Sequence, residues 1–433
     1  MTLRLNQQTD NSPLVAFRIM FGFILLWQAA KHIMYGWIEN LLVQPKFTFS
    51  FIWIEWLQPL HGKGMYWYYG AMCVLSVLII IGYGYRLATG GFAILWAGAY
   101  LMQKTVYNNH HYLLILMCFL MLLMPANACA SLDSRIKPSI KSHSMPAWCR
   151  YALLLQIGIV YFYAAVAKLY PGWMDGTFTG TLLNPLATGY TPFFREKWFH
   201  IAFAWTGFLF DLFIVPLLLY RKTRTAALVA AIVFHTFNWA TLNIGVFPLF
   251  SLTMLVFFYP PDTIRRLFFR SRPPFVTEEE KLPAKSDRTI YYVLVPYFII
   301  QVFLPLRHHF IEGDVLYTEE GHRMSWRMML KKKRGGTDFY VTNLATGKKT
   351  VFDKYSLLTK KQASALNGKP DMIWQMAQRI KKEYAKKGIS VAVHAGAWVS
   401  INNGPKQMLI DPGTDLATAE WDHFSHSKWI LSP

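Results

Sequence analysis

The feature that most constrains this chain is a series of apolar runs long enough to cross a lipid bilayer. A helix needs about 20 mostly apolar residues to span the roughly 30 Å hydrocarbon layer. With 54% apolar and only 16% charged residues among 433, the chain is also too poor in charge for an ordinary soluble enzyme. We therefore predict an α-helical polytopic membrane bundle of about nine transmembrane helices. The runs lie at about residues 14–34, 66–84, 87–103, 109–125, 150–168, 198–220, 225–241, 244–259 and 290–306.

The basic residues provide an independent test of this count, because Lys and Arg accumulate in cytoplasmic loops. Nine spans place the two termini on opposite faces, and sixteen Lys and Arg residues then fall in the loops of one face. The asymmetry predicts a cytoplasmic N-terminus. It also explains much of the net charge of +20 without nucleic acid, for which no motif appears. The loops of the opposite face hold only Lys31, Lys46, Lys63, Lys104, Arg195 and Lys197.

The composition changes at about residue 307, where charges become frequent and apolar runs shorten. We divide the chain into a transmembrane helical domain, 1–306, and a soluble α+β cap domain, 307–433, which the span count places outside the cytoplasm. In the cap, residues 338–353 predict two short strands around a Gly-containing turn, and residues 371–388 predict an amphipathic helix. Residues 389–411 predict a strand pair around Asn-Asn-Gly-Pro.

Two segments near the N-terminus need separate interpretation. The polar first thirteen residues and the run after them lack a convincing small-x-small cleavage site, which favours an uncleaved first helix over a signal peptide. Residues 47–57 are short and rich in aromatic residues. This composition predicts a segment that lies in the membrane interface and does not span.

Cysteine and histidine usage argues against a metal centre. The four Cys residues do not make a disulfide scaffold, and Cys129 and Cys149 lack partners at zinc-ligand spacing. A ferritin-like di-iron site needs Glu-x-x-His pairs, which the spans lack. A bis-histidine haem remains an alternative that would have to use His110 or His111 with His235. We expect no metal.

Ionisable and amide side chains are costly inside a membrane, so those that occur there indicate functional sites. Three groups fall in the outer half of the membrane in the predicted topology, and we expect them to form one pocket under the cap. Asp211 lies in the middle of the sixth span, where we expect it to pair inside the bundle without a catalytic role. The three groups are Tyr107, Asn108, Asn109, His110 and His111 at the start of the fourth span, Lys168 at the end of the fifth, and His235, Asn238 and Asn243 around the turn from the seventh to the eighth.

Each group also has a purely structural interpretation. Lys168 ends a helix, where a lysine commonly extends to the interface and complements the helix dipole. His235 and Asn238, one turn apart, could bond backbone across a helix pair. Asn108 and Asn109 could cap the fourth span.

The functional interpretation is acid–base chemistry in an apolar pocket. A lysine amine removed from water loses part of its preference for the charged form, so the free amine becomes usable as a base. Imidazoles donate, accept or transfer protons, and Asn amides bind a carbonyl or an oxyanion. Such a site suits a lipid-soluble, weakly acidic substrate, and a quinol is the natural candidate.

At this point the residues match a known family. The chain resembles the vitamin K-dependent γ-glutamyl carboxylases, within the wider group of horizontally transferred transmembrane domain proteins. The resemblance runs along almost the whole chain in several blocks that occur in the right order. The blocks are VAFRIMFGFIL, YNNHHYL, IVYFYAAVAKLYPGW, FHTFNWATLNIGVFP, MSWRMML, WVSINN, LIDPGTDL and SKWILSP.

The resemblance implies specific roles. Lys168 matches the family's base for the vitamin K hydroquinone, His110 with Asn109 matches a functional Asn-His pair, and His235 matches a further functional histidine. In the family, oxygen converts the reduced vitamin to its epoxide, and a strong base formed on the way removes a γ-proton from a peptide Glu, which then adds CO2. Apart from these roles, the cap residues Trp326, Trp398 and Asn402 are expected to pack over or near the pocket, with Trp398 as a substrate contact, although a purely structural interpretation stays open for each.

The resemblance also has departures. The family's animal members carry a second lysine where this chain has Ala167, and they continue into a longer C-terminal segment. Their cap is tied to the membrane part by a cysteine, whereas the cap here contains none. The missing segment favours a bacterial inner membrane over the endoplasmic reticulum. These differences support quinol oxygenation better than carboxylation of a protein partner.

The resulting hypothesis is a carbon–carbon lyase that couples epoxidation of a reduced vitamin K-type quinol to carboxylation of Glu in a peptide or protein. Phylloquinol or menaquinol, O2 and CO2 are its expected co-substrates, and a Glu-containing chain and the lipid bilayer are its expected partners. Two alternatives stay open. One is a quinol epoxidase of the same fold that does not carboxylate, and the other is a non-enzymatic quinone-binding protein.

Overall fold

The structure, a computed structural model, describes residues 5–242, 244–275 and 288–432. Asn243, which the sequence analysis placed in the predicted pocket, lies outside the described residues. So do residues 276–287, which form most of an acidic-then-basic stretch before the ninth predicted span. Every one of the nine predicted apolar runs overlaps a helical element. The helices of the N-terminal part are α1 (Ser12–Met34), α2 (Gly64–Ile81), α3 (Tyr85–Leu101), α4 (Asn109–Leu123), α5 (Leu132–Ile136), α6 (Ala147–Val166), α7 (Pro171–Met174), α8 (Thr177–Leu183), α9 (Lys197–Leu219), α10 (Arg224–Thr241), α11 (Phe247–Met254), α12 (Pro261–Phe268) and α13 (Val295–Phe303).

Five of these helical segments are long and apolar enough to cross a membrane by length and composition. Helix α4 and the segment Phe247–Phe257 are apolar but shorter. The chain is therefore an integral membrane protein with a helical N-terminal region, whereas the total of nine spans remains a prediction. The five segments are Ser12–Met34, Gly64–Ile81, Ala147–Val166, Lys197–Leu219 and Ile290–Phe310.

Helix α1 packs against α2, α11 and α12. Its Phe17 and Phe21 are fully buried and stack with ring centroids 5.3 Å apart. The Phe17 ring also meets Phe250 and Phe257 edge-on, at 6.2 and 5.2 Å. Edge-to-face aromatic packing of this kind adds to the dispersion contacts that join α1 to α11 and the turn after it.

Arg18 is a fully buried charge on α1 that the sequence analysis did not single out. Its guanidinium donates to the carbonyl oxygens of Ala126 at 2.9 Å, Ala130 at 2.6 Å and Ile80 at 3.3 Å. The last of these is an orphan carbonyl at the C-terminus of α2, where a cation also complements the helix dipole. Arg18 therefore joins α1, α2 and the loop after α4 at one end of the bundle.

The C-terminal part is a mixed α/β domain built on a four-stranded antiparallel sheet. The strands of the protein are β1 (Gln8–Asp10) and β2 (Ser144–Pro146), which pair in the membrane part, and β3 (Lys333–Asn343), β4 (Lys349–Phe352), β5 (Val391–Ile401) and β6 (Gln407–Met408) in this sheet. The order in the sheet is β4-β3-β5-β6.

The predicted turns of the sheet are confirmed: Gly347 has a φ of +67° between β3 and β4, and Asn402 and Asn403 have φ of +53° and +63° between β5 and β6. Positive φ suits Gly and Asn, which explains why both turns were visible in the sequence.

The predicted cap helix is also confirmed and packs on this sheet. The cap contains α14 (Val315–Thr318), α15 (Lys360–Leu366) and α16 (Pro370–Ala385). On α16, Ile373, Met376 and Ile380 are fully buried, as the period of the apolar residues predicts.

The aromatic segment 47–57 does more than lie in an interface. Its Trp53 and Trp56 are exposed, but Phe49 is fully buried in the hydrophobic core of the cap. Two cap glutamines hold its backbone: Gln362 donates to the Phe47 carbonyl at 2.7 Å and Gln375 to the Ser50 carbonyl at 3.1 Å. The segment therefore fastens the cap to the membrane part.

A buried ion cluster makes a second connection. Lys104, in the loop between α3 and α4, pairs with Asp371 at the start of α16, and Arg323 reaches the same carboxylate at 2.7 Å. The Lys104 and Asp371 side chains are 1% and 4% exposed. Burial alone would raise the pKa of Asp371, but the charges of Arg323 and Lys104 outweigh it and hold that pKa below its ordinary value.

Candidate active site

A cavity of about 90 Å³ lies at one end of the bundle, where α4 begins and α6 and α10 end. Its walls are mainly aromatic and aliphatic, with a few polar side chains among them. Such a composition is typical of small-molecule sites, in which a few polar groups orient an otherwise apolar ligand. The cavity is lined by His110, Tyr161, Ala164, Lys168, Trp173, Leu182, Phe203, Gly207, Asp211, Phe234, Asn238, Leu242, Ile244, Phe247, Met328 and Met329.

Lys168 follows the last turn of α6 and points into the bundle. Its amine donates to the Ala164 carbonyl at 3.0 Å, forms an ion pair with Asp211 of α9, and lies 5.2 Å from the centre of the Trp173 ring. The side chain is 9% exposed. Lys168 therefore does not extend to the membrane interface. Asp211, which was predicted to pair inside the bundle, pairs with Lys168, the candidate base.

His110 enters the cavity from the first turn of α4. Asn108 caps this helix by accepting a hydrogen bond from the His110 backbone N–H at 2.7 Å, as the structural interpretation of that residue predicts. The imidazole stacks on Phe247 with centroids 4.5 Å apart. Its Nδ1 is buried and has no hydrogen-bond partner within the described residues. This nitrogen is consequently free to bond a ligand.

His235 is buried behind the cavity wall and acts on the cavity through a tyrosine. Its Nε2 lies 2.8 Å from the Tyr161 hydroxyl, and Tyr161 lines the cavity. The sequence analysis missed Tyr161, although it precedes Lys168 by seven residues. Two helical turns separate such positions, so both side chains face the same way.

The cap closes the cavity with one loop, residues 321–330, which we call the roof loop. Its Met328 and Met329 line the cavity. Met324, Trp326 and Met329 all have positive φ, between +51° and +59°, which is unfavourable for residues other than Gly. Strained backbone of this kind persists only where surrounding contacts hold it, and it concentrates at functional sites.

Hydrogen bonds with side chains of the membrane part hold the roof loop in place, and in one of them the Tyr107 hydroxyl accepts from the Met324 backbone N–H. The Asn109 amide donates to the Arg327 carbonyl at 3.3 Å and accepts from the Tyr107 hydroxyl at 2.6 Å. The Tyr170 hydroxyl donates to the Leu330 carbonyl. Asn109 and Tyr170 therefore link the two chain segments that carry His110 and Lys168 to the cap.

Of the residues predicted for the site, Lys168, His110 and Asn238 line the cavity, and His235 reaches it through Tyr161. Asn108 and Asn109 bond backbone groups and do not line it. Trp398 lies on β5 opposite Gly336, with the Lys406 amine 4.4 Å from its ring centre, and it also does not line the cavity. Gly336 leaves the space that this indole fills, so the cap sheet positions Trp398 away from the cavity.

His111 points away from His110 into a different cluster. Its Nε2 lies 3.0 Å from the Gln28 amide, which also contacts His32 Nε2 at 3.3 Å. In residues 5–242, 244–275 and 288–432, no three His, Cys, Asp or Glu side chains gather in an arrangement that could hold a metal ion. His110 and His235 share one aromatic neighbour, because the Phe247 ring lies 4.5 Å from the first imidazole and 6.0 Å from the second, centre to centre.

Comparison with known families separates the chain into two matched regions. Residues 6–262 match the HTTM domain, and residues 286–433 match a domain described as "Vitamin K-dependent gamma-carboxylase, lumenal domain". No solved structure matches the chain.

Proposed function

Because the chain belongs to the vitamin K-dependent gamma-carboxylase family, we propose that it couples epoxidation of a reduced vitamin K-type quinol to carboxylation of Glu in a peptide or protein. One observation carries the proposal. The buried Lys168 amine and the His110 imidazole, whose Nδ1 has no hydrogen-bond partner among the described residues, line the same apolar cavity under the lumenal-type domain. An apolar ring with weakly acidic hydroxyls is the ligand that such a cavity suits.

The cavity fits this ligand in chemistry and must widen to fit it in size. Phe203, Phe234 and Phe247 offer faces on which a flat ring can stack. The volume of about 90 Å³ is below the roughly 300 Å³ of a small ligand pocket. We propose that Met328 and Met329 move aside on binding, because unbranched methionine side chains repack easily.

The protein side chains position the quinol and handle its protons. Lys168 receives a hydroxyl proton, and His110 Nδ1 accepts a hydrogen bond from the quinol. Tyr161, oriented by His235, and Asn238 complete the polar contacts. The quinol supplies the reducing power for oxygen and the base strength needed at the Glu γ-carbon. Closure by the roof loop excludes water while that base exists.

The peptide approaches from the cap side in this proposal. Gly321 and Met324, at the start of the roof loop, also line a second cavity of about 330 Å³, which Arg307 borders. One loop thus lines both the cavity proposed for the quinol and an opening on the cap side. CO2 and O2 are small and apolar and can reach the cavity through the bilayer or the cap.

We further propose the arrangement in the membrane. The transmembrane domain, 1–306, contributes nine spans with the N-terminus in the cytoplasm, and the cap, 307–433, is extracytoplasmic. The excess of basic residues in the loops of one face supports this orientation.

The proposed function is tested by incubating purified protein with reduced vitamin K, labelled CO2 and a Glu-containing peptide. We expect both epoxide and labelled peptide. Epoxide without label would identify a quinol epoxidase that does not carboxylate. Quinone binding without oxygen uptake would identify a non-enzymatic binding protein.

Replacing His110 or His235 should slow epoxide formation without unfolding the protein. His110→Ala removes the free Nδ1 acceptor, and His235→Ala leaves the Tyr161 hydroxyl without its partner. Each loss corresponds to one hydrogen bond at the site, about 1–3 kcal/mol, and therefore to a rate lower by roughly tenfold to a hundredfold. Epoxide is quantified by chromatography under saturating oxygen.

The matched control for these two variants is His111→Ala, which alters the neighbouring imidazole that faces Gln28. We expect its epoxidation rate to stay within about threefold of wild type. Wild-type rates in both His110→Ala and His235→Ala would remove these residues from the mechanism.

A further inference from the structure

The ion pair between Lys168 and Asp211 changes how the site can take a proton. Asp211 lines the cavity and is the only carboxylate among its described lining residues. Its side chain is 10% exposed, and its partner lies on a different helix, so the pair joins α6 to α9 inside the bundle. The family resemblance assigned no role to this residue.

Three contacts of Lys168 favour its ammonium form. The Asp211 carboxylate, the Ala164 carbonyl and the face of Trp173 each stabilise a positive charge. An ammonium has three N–H donors, and the first two of these partners use two of them. The third donor remains for a ligand oxygen. An ammonium alone, however, has no site for a further proton.

The ion pair of Lys168 and Asp211, taken as one unit, can accept a further proton. Ammonium and carboxylate together are neutral, and the carboxylate can hold one more proton. A neutral lysine that took the quinol proton would create two opposite charges in an apolar cavity, which is costly. The pair avoids this, because the negative charge only moves from Asp211 to the quinol oxygen while the same ammonium stays beside both.

We infer that Asp211 is a catalytic residue that holds the proton removed from the quinol, with Lys168 as the group that passes it on. The quinol O–H bond breaks and its electron pair stays on the oxygen. Lys168 takes that proton as it releases another to Asp211, so it keeps three N–H bonds, and one O–H bond forms on the Asp211 carboxyl. This inference rests on the proposed function, since it assumes that a quinol binds in this cavity.

The test uses 1-naphthol, a ring with a single weakly acidic hydroxyl, added without oxygen to purified full-length protein. Infrared difference spectra report a protonated carboxyl group, and ultraviolet absorbance reports ionised naphthol. In wild type we expect both signals to appear together on binding. Labelling the aspartate carboxyl carbons with carbon-13 should shift the infrared band. In Asp211→Asn we expect naphthol to bind, the band to be lost, and the ionised fraction to fall at least tenfold.

The outcomes separate this inference from the proposed function. If wild type does not bind naphthol or reduced vitamin K, the proposed function fails. If naphthol binds and ionises without a new carboxyl band, Lys168 alone is the base and the inference is overturned. Equal ionisation in Asp211→Asn and wild type overturns it as well. Should Asp211→Asn fail to fold, the isotope-shifted band in wild type still decides, and Asp211→Glu should restore both signals in part.

Discussion

Lys168→Ala should reduce epoxide formation and oxygen uptake with reduced vitamin K by about 10²–10⁴-fold, the usual contribution of a positioned acid–base group. The variant removes the amine that lines the cavity and that is paired with Asp211. Carboxylation of a Glu peptide should fall by the same factor, because it depends on the same first step. Oxygen consumption and labelled CO2 incorporation are measured on the same preparation.

The control must separate lost chemistry from lost folding. Lys168→Ala leaves the Asp211 carboxylate buried without its partner, which costs about 3–5 kcal/mol. The double variant Lys168→Met with Asp211→Leu replaces the whole pair by apolar side chains and should fold close to normally while remaining inactive. Lys197→Ala changes an exposed lysine at the start of α9 and should retain full activity. Epoxidation at the wild-type rate in Lys168→Ala would contradict the role of the amine.

The positions of the helices were predictable because each apolar run is long and uninterrupted. What the runs do not reveal is which polar residues meet. Asp211 and Lys168 lie on helices that touch only after folding, and nothing in their sequence spacing pairs them. The prediction that Asp211 pairs inside the bundle was therefore possible, but its partner was not.

The first span shows a different reason for missed residues. Arg18, Gln28 and His32 are buried there, yet the analysis of polar residues began at the fourth span. Arg18 bonds carbonyl groups at a helix end, and Gln28 bonds two imidazoles. Buried polar residues of this kind form hydrogen bonds within the protein, and their sequence pattern does not distinguish them from residues of a functional site.

In the cap, a turn or loop conformation can be predicted from the sequence only where it requires particular residue types. The turns at Gly347 and at Asn402 and Asn403 use residues that favour positive φ, so they were found. The roof loop uses Met324, Trp326 and Met329 at positive φ, where no residue preference signals the conformation. The sequence analysis therefore predicted only that Trp326 packs over or near the pocket. It did not predict the conformation of the loop that closes the cavity.

The second large effect concerns how the cap is held over the cavity. Asp371→Ala should destabilise the docked cap by about 3–5 kcal/mol, because Lys104 and Arg323 would remain buried without the carboxylate that both contact. Arg323 belongs to the roof loop, so the variant should also admit water to the cavity and uncouple oxygen uptake from carboxylation. Thermal unfolding and protease cleavage of the cap measure the first effect, and the ratio of labelled CO2 to oxygen consumed measures the second.

A matched control and the pH dependence make the origin of this effect testable. Asp338→Ala removes an acid that is 68% exposed and 3.6 Å from Lys354 in the same domain, so it should cost less than about 1 kcal/mol.

The pKa of Asp371 is lower in the folded protein than its ordinary 3.8. Its contribution is therefore fully present above pH 3.8 and is lost as the pH falls through the lower folded value. The stability difference between wild type and Asp371→Ala should stay constant from pH 7 to about pH 5 and narrow only in stronger acid. A difference that disappears near pH 6 would assign the effect to a histidine, because only imidazole titrates there among ordinary side chains.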